Sequence, residues 1–344
     1  MSFIFTADWH LTERPRDLYR WSVVDQLVSF LELHSSRTRA VVLAGDLTHF
    51  KDGHSAALVG SVVQAFRRLA SLAEVCFIVG NHDYAERRSV FFSFLEHLNT
   101  KHPISVHVGP GVVEVGGCLC WVLPHSDALA EDVARLRNKE PSPTYVFAHQ
   151  CFTGAKAGGV RLQGEDPSIL DAESVGGATV LAGDIHRPQR VGNVYYVGSP
   201  HPVAYGEEHE PQALVCTPDS LVSYKLASVR KRVLRLREVS GFDAAAQKAG
   251  LRAGDHAKVI VRQPRASAVE WPSIREELQR QCVGLGLAEW SVVLEQELEA
   301  VDGSKAEGIE TLNPRQVLKQ YCSQKKVEER LAWYGERMLV VGST

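Results

Sequence analysis

The sequence predicts an α/β protein: a two-sheet αββα sandwich, then a small α+β module and a helical C-terminal tail. Three observations carry this. Up to about residue 100, short apolar runs alternate with longer amphipathic stretches, the order expected of buried parallel strands joined by helical crossovers. From residue 104 to residue 226, strand follows strand with turns between them, a β-heavier half able to form a second sheet packed on the first. After Leu226 the composition shifts again.

Taken in order, SFIFTA (2–7), AVVLA (40–44) and VCFIV (75–79) read as buried strands, with helices over Leu18 to Leu33, Ser55 to Leu72 and Arg88 to Leu98. The β-heavy half contributes ISVHVG, GVVEVGG, LCWVLP, TYVFAHQ, ATVLAGD, VYYVGSP, ALVCTP and SLVSYKL, with helices only near 126–138 and 168–174. Residues 1–226 thus form the first domain. Residues 227–310 form an appended one, with a basic strand from Val229 to Arg237, an Ala/Gly-rich segment at 241–255, a strand HAKVIVRQ (256–263) and a helix from Pro272 to Cys282. Residues 311–344 form the tail. There Pro314 suits a first helical turn, and Val317, Leu318, Tyr321, Val327, Leu331 and Tyr334 make an apolar stripe at helical spacing.

Composition narrows the classes of function. Hydrophobic residues at 44% and charged residues at 23% are ordinary globular usage and exclude a disordered or fibrous chain. The longest apolar runs fall far short of the roughly 20 residues a membrane span needs. MSFIFTADWH has no basic leader region, so the expected location is cytoplasmic. Seven scattered cysteines without a CxxC pair point to buried reduced thiols. The net charge of −3 announces no global affinity for nucleic acid, so any polyanion site must be local.

The informative feature is where polar residues sit relative to strands. Asp8 and His10 follow the first strand, Gly45-Asp46 the second and Gly80-Asn81-His82-Asp83 the third. Two later strands end in His149 and in Asp184 with His186. The carboxyl ends of strands in an open α/β sheet line one crevice, so these groups should converge there. A mixed oxygen and nitrogen donor set suits Mn²⁺, Fe²⁺ or Zn²⁺, and seven donors are too many for one tetrahedral ion. They suit two ions sharing a carboxylate, the arrangement used for in-line phosphoester displacement.

The ordered blocks D-x-H, G-D, G-N-H-D, a strand-end His and G-x-x-H resemble the calcineurin-like metallophosphoesterase signature. Within that superfamily, GDLTH (45–49), GDIHRPQ (183–189) and YYVGSPHPVAYGE (195–207) are similar to the SbcD-type nuclease subunit of double-strand-break repair complexes. The resemblance covers residues 1–225 and implies a metallophosphoesterase sandwich with a capping domain. It implies that Asp8, His10 and His186 hold one metal ion and that Asn81, His149 and Asp184 hold the second, with Asp46 bridging. It implies that His82, held by Asp83, stabilises or protonates the departing oxygen, with His49 nearby. The chain departs from the family at Asp184, where a His is usual; the harder oxygen donor favours Mn²⁺, with Mg²⁺ as the alternative.

The implied activity is metal-dependent DNA exonuclease and endonuclease action in end processing, recombination or repair. The implied partners are DNA, an SMC-like ATPase of the SbcC type docked on the tail, and a second copy of the chain. Arg187, Arg230, Arg232 and Arg235 are the candidate DNA contacts; a solvated edge strand is the plainer reading of that basic stretch. Two rival readings are a small-molecule phosphodiesterase or phosphatase and a catalytically silent scaffold.

Overall fold

The computed structural model describes residues 1–85, 89–163, 169–264 and 270–297. By residue contacts, 1–263 and 267–295 form one compact unit, and 264–266 with 296–344 form a second that falls almost wholly outside the described residues. The expected tail at 311–344, with its apolar stripe, is part of what lies outside.

The first sheet has six strands: β1 (Ser2–Thr6), β2 (Thr38–Ala44), β3 (Glu74–Ile78), β4 (Ile104–His107), β15 (Gln212–Thr217) and β16 (Ser220–Lys225), lying side by side as β16-β15-β1-β2-β3-β4. Strands β1 to β4 run parallel, whereas β15 pairs antiparallel with both β1 and β16. The second sheet also has six: β5 (Gly111–Val115), β6 (Cys118–Leu123), β7 (Tyr145–His149), β12 (Thr179–Gly183), β13 (Gln189–Val191) and β14 (Val194–Tyr196), lying as β13-β14-β12-β7-β6-β5. Two-residue pairs, β8 (Cys151–Phe152) with β11 (Ile169–Leu170) and β9 (Lys156–Ala157) with β10 (Val160–Arg161), decorate the loop after β7.

The sandwich follows from strand alternation. On β1, Phe3 and Phe5 point inward to pack with Val122, Phe147 and Leu181 of the second sheet. Ile4 points outward against Val24, Leu27, Val62 and Phe66 of helices α1 (Ser22–His34) and α2 (Ala56–Ala70). The second sheet turns Trp121, Val146 and Val180 toward α3 (Leu129–Lys139), meeting Leu129, Val133 and Leu136. The four layers α-β-β-α are thereby filled.

Helix α2 starts where Ser55 Oγ accepts the Leu58 N–H at 3.0 Å, satisfying an otherwise orphaned donor. Its apolar positions Leu58, Val62, Phe66 and Leu69 recur at helical spacing and are buried.

Several elements differ from the sequence expectation. Strands β4, β15 and β16 come from the β-heavy half yet join the first sheet, because β1 and β3 leave edges that later strands can fill. The helix expected over 88–98 is a 3₁₀ segment, Phe91–His97, interrupted at Phe92. In place of one helix from Leu18, a 3₁₀ turn over Pro15–Trp21 precedes α1. The Ala/Gly-rich segment contains helix α4 (Phe242–Lys248), and a strand the sequence reading did not anticipate, β19 (Glu289–Glu297), completes a three-stranded sheet with β17 (Lys231–Leu236) and β18 (His256–Pro264). With α5 (Trp271–Gly284), these elements bury their own cluster, including Leu234, Val259, Leu278 and Cys282.

A buried ionic contact ties β17 to the first layer. Lys231 Nζ lies 2.7 Å from Asp17 Oδ1, and Arg20 lies 3.4 Å from the same oxygen, all three side chains being almost wholly buried. Burial alone would raise the Asp17 pKa, but the Lys231 hydrogen bond and the Arg20 charge outweigh it and hold it below the ordinary 3.8. For Lys231 burial wins, and its pKa falls. The carboxylate gains more because two buried cations face it. Asp17→Asn leaves both cations without a counter-charge, and loss of one partner of a buried pair costs about 3–5 kcal/mol. Denaturant unfolding at pH 7 should show that loss. Because the folded carboxylate titrates below 3.8, its contribution is fully present above that pH and fades as pH falls through the lower folded value; the Asn variant should lack that acid-side decline.

Candidate metal centre

The parallel strands β1, β2 and β3 of the first sheet, and β7 and β12 of the second, end at one crevice, and all seven sequence-nominated donors meet there. Among the described residues, the non-glycine residues with positive φ are Asp8, His10, Asp46 and Asp184, every one a nominated donor. Such conformations cost about 1–3 kcal/mol each and persist where surrounding structure enforces them, characteristically at functional sites. Gly45 shows the enforcement: its φ is +83°, and a Cβ there would fall within the His149 imidazole.

Asp46 stands between two groups of donors. Its Oδ2 lies 3.4 Å from His10 Nε2 and its Oδ1 lies 3.4 Å from His149 Nε2. On the first side, His10 and His186 aim their Nε2 atoms at each other across 3.0 Å. Asp8 Oδ2 is buried with no hydrogen-bond partner, a cost that a cation would relieve. On the second side, His149 Nε2 lies 3.2 Å from Asn81 Oδ1 and 3.7 Å from Asp184 Oδ1. Compact donor groups are Asp8–His10–His186, His10–Asp46–His82 and Asp8–Asp46–His149. The donor set therefore fits divalent ions, its mixture of oxygen and imidazole being unlike a thiolate-rich structural zinc site.

Electrostatics agree with a cation-seeking site. Burial pushes Asp8 up to about 7, and neighbouring Asp46 and Asp184 add to the rise. Burial disfavours a charged His149, but Asp46, Asp8 and Asp184 outweigh it and lift the imidazole to about 9. His10 moves the other way, far below its usual value, because burial is joined by His186, His82 and Arg20. It therefore offers a lone pair.

Further hydrogen bonds orient these donors. His149 Nδ1 donates to the Ala44 carbonyl at 2.8 Å, leaving Nε2 to face the cluster. His186 Nδ1 donates to Glu207 Oε1 at 2.7 Å, and Glu207 Oε2 accepts from the Val203 and Ala204 N–H groups. A carboxylate behind an imidazole fixes its tautomer and raises its basicity. Sequence reasoning missed Glu207, although it closes the VAYGE block. It also missed Arg20, whose guanidinium donates to the His10 carbonyl at 2.8 Å; no local pattern marks it.

His82 lies at the cluster, its ring centroid 4.9 Å from that of His10. The expectation that Asp83 holds the His82 ring needs correcting. Both Asp83 oxygens are taken by the backbone N–H groups of Gly80, Asp46 and Leu47, at 2.7, 2.8 and 2.9 Å. Asp83 thus knits two donor-bearing loops together, and His82 Nδ1 donates instead to the His49 carbonyl at 2.9 Å. His49 presents a half-buried imidazole, lowered to about 4 by burial and by Arg20. Trp9, within the D-x-H block, is fully buried and its indole N–H donates to Thr6 Oγ1. His201 is buried against the Trp9 carbonyl.

Of the arginines nominated for DNA, Arg187 is exposed. Arg230 bonds the Gly250 carbonyl, Arg232 the Ala249 carbonyl and Arg235 pairs with Glu295. Phosphate contact by these three would fall to their remaining donors.

Asp184 sits at the margin of the cluster, with its Oδ2 accepting from the Cys151 thiol at 2.9 Å. If it ligates, Asp184→Ala should lower bound Mn²⁺ from two equivalents toward one at micromolar metal, read by elemental analysis; unchanged stoichiometry would make it a bystander.

The sequence profile of the family described as calcineurin-like phosphoesterase matches residues 1–188. No curated protein matches the chain. Among solved structures, a hypothetical protein from Thermus thermophilus is similar at 16% identity over 66% of this chain and 100% of its own, with a TM-score of 0.39. The family match takes in all five strand-end blocks, from Asp8 to His186, and this chain belongs to the calcineurin-like phosphoesterases.

Proposed function

We propose that the protein is a metal-dependent phosphodiesterase acting on DNA, an exonuclease and endonuclease that works in end processing, recombination or repair. The observation that carries the hydrolytic part is Asp46 between two donor groups, one oxygen toward each, with His82 alongside. Asp8, His10 and His186 would hold one ion, Asn81, His149 and Asp184 the other, with Mn²⁺ preferred. When bound, the ions would polarise the phosphoryl oxygens and acidify the attacking water. The chain's own part is to fix the donors through Glu207, Asp83 and Arg20, and to place the His82 Nε2 proton where charge develops on the departing oxygen.

The choice of DNA is supported by the GDLTH, GDIHRPQ and YYVGSPHPVAYGE blocks. The same resemblance supports a homodimer and an SMC-like ATPase partner on the tail. No helix among the described residues is long and apolar enough to cross a membrane.

One experiment ranks the readings: purified protein with Mn²⁺ on labelled linear duplex, single-stranded DNA and p-nitrophenyl phosphate esters. The proposal expects DNA to be cleaved in preference to the small esters; hydrolysis of the esters alone would favour a small-molecule phosphodiesterase. Deleting 312–344 should spare single-strand cleavage but abolish ATP-stimulated duplex processing and co-purification with the ATPase. A truncated chain that still pulls down the ATPase would refute the docking role.

A further inference from the structure

We infer that the cavity beside Asn81 is a nucleobase subsite, taking the base of one unpaired nucleotide whose phosphate lies at the metal centre. The inference rests on the phosphodiesterase reading and adds the recognition element that reading lacks. The cavity measures about 300 Å³ and counts Asn81, Tyr84, Gly109, Pro124 and His125 among its lining residues. That is the lower end of the roughly 300–1,000 Å³ typical of small-ligand clefts: room for a single base, not for a base pair.

Position comes first. Asn81 belongs both to the cavity wall and to the donor cluster, with its Oδ1 3.2 Å from His149 Nε2. A nucleotide with its phosphate on the cluster therefore has its sugar and base beside the opening. One wall offers an aromatic face. Tyr84 and His125 stand with ring centroids 6.4 Å apart and planes inclined at 60°, so a base can stack on one ring with the other at its edge. The Tyr84 ring is held by its hydroxyl, which donates to the His125 carbonyl at 3.2 Å. A held ring loses little freedom on stacking, and every base offers a π-face.

Charge selects further. Asp127 and Asp132 line the cavity while Lys51 stands at its exposed margin. Asp132, whose Oδ2 accepts from Ser126 Oγ at 2.7 Å, and Asp127 make this wall acidic, which repels an anionic substituent, and a lysine at the margin suits the next phosphate of a strand. A base inside a duplex is stacked and paired, so it must be freed to enter. The site should accordingly prefer single strands and frayed ends.

Gly109 offers a clean test. A Cβ there would meet nothing within 4 Å, and its backbone is outside the left-handed region, so Gly109→Trp places a bulky side chain at the cavity wall without backbone strain. With Mn²⁺, full-length wild type and variant are compared on a single-stranded oligonucleotide and on methyl p-nitrophenyl phosphate, which carries no base. The expected result is a loss in kcat/KM on the oligonucleotide of about tenfold to a hundredfold, the scale of one lost stacking contact, with the methyl ester within about twofold and Tm unchanged. A second measurement that needs no turnover is fluorescence of 2-aminopurine deoxyribonucleoside 5′-monophosphate, which has no phosphodiester to cleave, in Mg²⁺: quenched by wild type and not by Gly109→Trp. Equal activity on both substrates with quenching retained would overturn the subsite, as would parallel loss on both. A wild-type protein inactive on both substrates would instead sink the phosphodiesterase reading itself.

Discussion

His82→Ala should lower turnover about 10²- to 10⁴-fold, the usual contribution of a positioned general acid, while the divalent metal bound by wild type stays bound. The reason is geometric. His82 Nδ1 is committed to the His49 carbonyl, so the ring presents Nε2 to the cluster in a fixed orientation. The backbone N–H of His82, which donates to Asp46 Oδ1 at 2.8 Å, survives the substitution and still braces the bridging carboxylate. His82 also falls in a compact donor group with His10 and Asp46, so metal analysis decides between two roles. Loss of an ion along with activity would make His82 a ligand, and full activity would remove it from the chemistry. His82→Gln, which retains a hydrogen-bond donor but cannot give up its proton, should bind substrate without restoring kcat.

Asp46→Asn should remove activity more completely, by at least about 10³-fold, because the carboxylate that faces both donor groups, and that would be shared by two ions, loses its charge. Asparagine tolerates positive φ, and Asp46 has φ of 56°, so the backbone should be kept. Stability should move in the opposite direction. Asp8, Asp46 and Asp83 are all buried, and burial followed by the charge of Asp46 pushes Asp83 up to about 7, while burial chiefly does the same for Asp8. A carboxyl whose folded pKa is raised stabilises the fold at low pH and withdraws that support as pH rises through the folded value. The metal-free protein should therefore lose stability between about pH 4 and pH 7. Calorimetry in chelator should find metal-free Asp46→Asn melting above metal-free wild type at neutral pH, and Mn²⁺ should reverse that order. If the order does not reverse, Asp46 does not bridge.

The sequence was informative wherever a signal is local in the chain. Each nominated donor follows an apolar strand within a few residues, and parallel strands must deliver their carboxyl ends to one side; hence the convergence of Asp8, Asp46, Asn81, His149 and His186 is legible in the sequence. The αββα layering was legible for the same reason, since Phe3 and Phe5 alternate with Ile4 and a two-faced strand demands two apolar layers.

What the sequence left undecided is long-range. Strand β15 joining β1, and β4 joining β3, pair residues far apart in the chain, and apolar runs of one texture do not say which sheet they enter. Asp83 was read as the partner of His82, its neighbour in GNHD, yet its carboxylate is spent on the Gly80 and Asp46 loops. Glu207 behind His186, Arg20 beneath His10 and Gly109 beside an open cavity belong to elements that only folding brings together. Strand-end placement determined the chemistry of the donors, because it follows from backbone direction; their orientation and the shape beside them needed the tertiary structure, because hydrogen-bond partners and cavities are properties of contacts across the chain.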